Sequence, residues 1–182
     1  METRKYPVRI RAAMACRIVN LDRVRFNDAV ASGTYPCAPS TRSGAARIFT
    51  ADEMVPLYFF ARLTEFGLPA SLAGRMACEM GDRARTDDAE PASRIIFVKG
   101  AGGASFMVPN VSKRPADGVI VTNYDPEHET PTEGKPNGWH YPGVGRVIFT
   151  MEFYVKHVRE LLADQIAYEM SILGEDEDEK LL

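Results

Sequence analysis

The sequence is poor in the residues that build metal centres, disulfide frameworks and membrane spans. Its 182 residues include three cysteines, three histidines and one tryptophan. Cys16, Cys37 and Cys78 are too scattered for a zinc pattern and too few for an even disulfide set, so reduced thiols in a cytosolic setting are expected. No apolar run approaches the roughly eighteen residues that cross a bilayer. The basic start (Arg4, Lys5, Arg9, Arg11) is not followed by an apolar stretch with a cleavage site, so no signal peptide is expected. The glycine-rich residues 100–103 lack the Lys-Ser/Thr and following helix of a P-loop and read as a hairpin turn. Asp125, Glu127, His128, Glu129 and His140 match no metal-ligand spacing, and no nucleophile has a visible base. Neither an enzyme, nor a metal, nor a cofactor is expected.

Neither sign of charge is spread evenly along the chain, and the distribution is informative. The net charge is −3, with 45% hydrophobic residues, ordinary for a globular chain. Residues 1–50 nevertheless carry nine Lys/Arg against three Asp/Glu, whereas residues 51–93 carry four against eight and residues 94–182 nine against fourteen. A protein that touches phosphates needs its positive charge where it touches, so the basic third is the expected nucleic-acid face.

That third reads as a small DNA-reading head. After an arm over residues 1–7, residues 8–19 are expected to form a first helix, with Ile10, Met14 and Ile18 on its apolar face and Cys16 as core. Asp22, with Asn20 as the alternative, caps a second helix from Arg23. Val24, Ala31 and Phe26 or Val30 are expected to hold that helix on its neighbour, and Gly33 to stop it. Arg23, Arg25 and Asn27 sit at the helix start, where Arg suits guanine and Asn suits adenine. The Pro/Gly/Ser/Thr-rich loop that follows offers Ser40, Thr41 and Arg42 to phosphates or the minor groove, joined by Arg17 and Arg47 at phosphates, while Tyr35 either contacts the DNA backbone or packs under the loop. Thr50 with Glu53 is a capping box that opens an almost wholly apolar helix over residues 51–66, bent at Pro56 and broken at Gly67-Leu68-Pro69. A further helix is expected over residues 70–83.

The stretch Arg47-Ile48-Phe49-Thr50-Ala51-Asp52-Glu53-Met54, with Leu57-Tyr58-Phe59-Phe60 and Leu63-Thr64-Glu65-Phe66-Gly67-Leu68-Pro69, resembles the wing exit and following helix of MerR-type regulators. The resemblance covers roughly residues 8–80, and the Arg-x-Tyr-Glu that ends the family's recognition helix is absent. It implies a winged helix-turn-helix that binds double-stranded DNA and a dimer formed through a long C-terminal helix.

The acidic, proline-bearing residues 87–93 read as a linker between a head over residues 1–86 and a second domain over residues 94–174. There the period changes from helical to alternating. Residues 94–99 and 104–109 make a hairpin, residues 119–124 a third strand, and residues 147–150 either a fourth strand or the entry to the last helix. Residues 125–145 read as a loop. The helix expected over residues 152–173 carries Val155, Val158, Leu162, Ile166 and Met170 at helical spacing, the expected core stripe and dimer seam. Residues 175–182 form an acidic tail, expected to be disordered.

The expected fold is therefore α+β: an N-terminal winged helix-turn-helix with extra helices, a small antiparallel β region and a long C-terminal helix. The expected function is a cytoplasmic, nucleoid-associated transcriptional regulator of bacterial or phage type, binding an inverted repeat as a homodimer. The second domain would serve oligomerisation, a protein partner or a small effector. An excisionase-like DNA-bending factor is the alternative, and an enzyme or ligand-binding protein the third.

Overall fold

The computed structural model describes residues 8–42, 45–86, 94–107, 119–123, 140–141 and 145–179. The protein is α+β, with five helices and two small antiparallel sheets among the described residues. Two compact units divide it: Met1–Arg85 with Arg159–Leu182, and Thr86–Val158. Most of the C-terminal helix thus groups with the N-terminal region, not with the strands that precede it.

The helical unit begins with strand β1 (Ile10–Arg11), helix α1 (Ala12–Ile18) and helix α2 (Arg23–Ala31). The helix expected from residue 8 starts later, because Ile10 and Arg11 pair antiparallel with Phe49 and Ile48 of β2 (Ile48–Phe49). A long-range ladder, extended by the Ala12 N–H to the Arg47 carbonyl at 3.0 Å, overrides local helical periodicity. Asn20 ends α1 instead of capping α2. It adopts a left-handed φ of 55° while the Leu21 N–H reaches the Cys16 carbonyl at 2.8 Å and the Asn20 N–H the Arg17 carbonyl at 3.1 Å, a Schellman stop. Asp22 takes the cap, accepting from the Arg25 N–H at 2.8 Å.

Helix α3 (Ala51–Glu65) opens with the Thr50–Glu53 capping box and closes with a second Schellman stop, at Gly67. Its residues from Met54 to Ala61 are all buried, so every face is covered. The rings of Phe49, Phe26, Tyr35 and Phe60 form a chain with successive centroids 5.8, 6.0 and 5.0 Å apart, the centre of the unit's core. Helix α4 (Ala70–Thr86) packs so tightly that two of its glycines admit no side chain. A Cβ at Gly74 would lie 1.8 Å from the Thr34 carbonyl oxygen, and one at Gly81 would lie 2.6 Å from the Pro56 Cβ. One turn beyond Gly74, Cys78 forms a disulfide with Cys37, their Cα atoms 5.6 Å apart. The expectation of three reduced thiols is corrected: a pair 41 residues apart in sequence shows no spacing signal, and the fold makes it adjacent. Cys16 is the free, buried thiol.

The second unit is a sheet in the order β4-β3-β7-β5, with β6 also on β7. Its strands are β3 (Arg94–Gly100), β4 (Gly103–Met107), β5 (Val119–Asn123), β6 (His140–Tyr141) and β7 (Gly145–Tyr154). All pairings are antiparallel, and residues 100–103 form the expected hairpin turn. Ile95 and Phe97 lie opposite Phe153 and Met151, so one face is apolar. A register shift at Lys99/Gly100 places two residues of β7 against one of β3 and carries Val147 to the other face, beside Val98 and Ile96. Arg94 pairs with Glu152 at 3.0 Å across β3 and β7.

Residues 152–154, expected in the last helix, finish β7, and α5 (Val155–Glu179) follows without a loop. Its backbone remains helical through residues 175–179, expected to be disordered: no proline interrupts it, and extending a formed helix is far easier than starting one. The expected linker, residues 87–93, and residues 125–139 and 142–144 of the expected loop lie outside the described residues.

Candidate nucleic-acid interface

Helix α2 carries the residues expected to meet bases. Arg23, Arg25 and Asn27 are all exposed, in or just beyond its first turn, while Phe26 and Ala29 are buried beneath. Val24 and Ala31, expected to hold the helix in place, are also exposed; Val24 is 66% accessible. The single large ring of Phe26 anchors the helix on Tyr35 and Phe49, which frees both aliphatic positions.

The loop after α2 divides into a fixed base and an outward tip. Tyr35 belongs to the base. It is 1% exposed, so of its two expected roles packing under the loop stands and contact with the DNA backbone is corrected. Its hydroxyl has no hydrogen-bond partner among the described residues, and burial foremost, with the Glu53 carboxylate second, pushes its pKa well up. Arg47, expected to hold phosphate, donates instead to the Pro39 carbonyl and is half-buried, tying the two arms of the loop together.

Ser40, Thr41 and Arg42 form the exposed tip, where the Thr41 hydroxyl donates to the Ala45 carbonyl at 3.1 Å. These three residues line a shallow cavity of about 510 Å³ together with Arg9, Thr50 and Glu53. Arg9 was not among the expected contacts; the pairing of the adjoining β1, invisible in local sequence, brings this residue to the cavity. Two arginines and three hydroxyl-bearing residues are a set that suits an anion such as a phosphodiester, and Glu53 lines the same space with a carboxylate already engaged in capping Thr50. Arg17 is exposed on α1 and ion-paired with Glu169 of α5.

The expected dimer seam is mostly used within the chain. Val155, Val158, Leu162 and Ile166 are buried, whereas Met170 is 48% exposed. Burial of Cys16 pushes its thiol up to about 11, which keeps it protonated and unreactive near neutrality. Among the described residues no cluster of His, Cys, Asp or Glu could hold a metal, and no helix is long and apolar enough to cross a membrane.

No family model matches the chain, and no curated protein matches it. The structure is that of an α+β protein with a disulfide-tied helical unit and a basic, loop-bearing surface.

Proposed function

We propose that the protein is a sequence-specific, double-stranded DNA-binding transcriptional regulator of bacterial or phage type. In this reading residues 10–49 form a winged helix-turn-helix similar to that of MerR-type proteins. The observation that carries the reading is the arrangement of α1, a four-residue turn and α2 between the paired strands β1 and β2, with Arg23, Arg25 and Asn27 exposed at the start of α2. That is the order in which a winged head offers its second helix to the major groove and its loop to the backbone. The basic balance of residues 1–50 supplies the phosphate attraction, and the Arg9–Arg42 cavity gives it a fixed place. A homodimer on an inverted repeat completes the reading. Since four of the five seam residues are buried, such a dimer would use α5's outer face around Tyr168 and Met170.

Salt-dependent binding to random and to selected duplexes tests the proposal. Wild type is expected to enrich one sequence, and Arg42→Ala to weaken all duplexes alike while lowering the salt slope by about one unit. Absence of binding at roughly 50–100 mM salt, where phosphate contacts remain strong, refutes it.

A further inference from the structure

Taken with the DNA-binding reading above, on which it rests, the exposure pattern of α2 specifies what the helix reads. Successive helical residues are about 100° apart around the axis. Buried Phe26 and Ala29 and half-buried Val30 therefore share one side. The side opposite carries Val24, Asn27, Asp28 and Ala31, all exposed. Arg23 and Arg25 fall on the two flanks, about 160° apart. Two flanking guanidiniums are set to straddle a groove and grip a phosphate on each wall, leaving the pole between them to face base edges. The Asp28 carboxylate on that pole repels phosphates, which favours the same orientation.

We infer that Val24 and Asn27, not the arginines, determine specificity, and that they select a thymine methyl beside an adenine. The Val24 isopropyl group is the most exposed of the large apolar side chains of the described residues, at 66%, and can make no hydrogen bond. The apolar feature a major groove presents is the C5-methyl of thymine. Asn27, three residues on, lies about 4.5 Å further along the axis, close to the roughly 3.4 Å step between base pairs. Its amide matches the N6 donor and N7 acceptor of adenine. The preferred site thus contains adjacent A·T pairs, and the arginines supply affinity without preference.

The test is a uracil scan of the duplex selected by wild type, replacing one thymine at a time and so deleting only its methyl group. Wild type is expected to lose about four-fold in affinity at one position, as for one methyl group removed from an apolar contact. Val24→Ala should bind thymine and uracil there equally, and Asn27→Ala should lose about ten-fold of its preference for adenine at the neighbouring pair. Both side chains are exposed, so the variants should unfold at the wild-type temperature. A flat scan by a wild type that still selects a sequence overturns this inference and leaves the DNA reading standing, as does equal sensitivity in Val24→Ala. A wild type that selects no sequence overturns both.

Discussion

Breaking the Cys37–Cys78 bond should weaken the helical unit without unfolding it. The bond closes a loop between residues 41 apart in sequence. In the chain-entropy account a loop of that size removes about 4 kcal/mol of conformational freedom from the unfolded state. Reduction returns that freedom, a large share of the 5–15 kcal/mol or so of a typical domain. The contacts beside the bond persist without it: Tyr35 stays buried against Phe26 and Phe60, and the Thr34 carbonyl stays lodged over Gly74. The reduced protein should therefore keep its helical circular dichroism at room temperature, and the unit that holds the bond should melt about 17 °C lower. The chain has two compact units, so only the transition of the unit holding both cysteines should move. The assay is thermal unfolding followed at 222 nm with and without a dithiol reductant, repeated on Cys37→Ala, which should melt like the reduced wild type. A thiol titration runs beside it: unfolded, unreduced protein should show one free thiol, Cys16, and reduced protein three. Coincident melting curves would refute the entropic argument, and three thiols without reductant would refute the bond.

Two further outcomes concern the core. Tyr35→Phe removes a buried hydroxyl that has no partner among the described residues, so stability to denaturant should be unchanged or higher by about 1 kcal/mol, whereas Tyr35→Ala should cost about 3–5 kcal/mol. The Cys16 thiol has a folded pKa raised from 9.0 to about 11 by burial, so the unfolded state releases its proton first as pH rises. Its contribution is complete below pH 9 and lost between pH 9 and about 11, and unfolding free energies measured across that window should decline less steeply in Cys16→Ala.

What could be read from the sequence is what short-range chemistry decides. The Asp22 cap, the Gly33 and Gly67 stops, the Thr50–Glu53 box and the hairpin at residues 100–103 each depend on a few neighbouring residues, and each stands in the structure. What could not be read depends on partners far along the chain. Ile10 and Arg11 leave a helical pattern to pair with residues 48–49, and Cys37 finds Cys78 across α3. Residues 152–154 share the helical spacing of α5, yet pairing with both β3 and β5 keeps 152 and 153 extended. In the candidate site, exposure of Arg23, Arg25, Asn27 and Arg42 follows from their polarity. Burial of Tyr35 and exposure of Val24 do not, because both turn on how much apolar area Phe26 alone can anchor.

The two crowded glycines of α4 constrain how this chain can change over its history. Glycine inside a helix costs about 1 kcal/mol against alanine, so local preference alone would replace Gly74 and Gly81 readily. Neither replacement is open. At Gly74 the obstacle is the main-chain oxygen of residue 34, present whatever amino acid stands there. At Gly81 the first obstacle is a Cβ, so only a glycine at position 56 would clear the space. Surface residues can drift while these positions stay fixed. Glycine, three residues, cysteine, two residues, glycine, preceded by a helix with an internal proline and a loop bearing the second cysteine, is the trace by which distant relatives would be found.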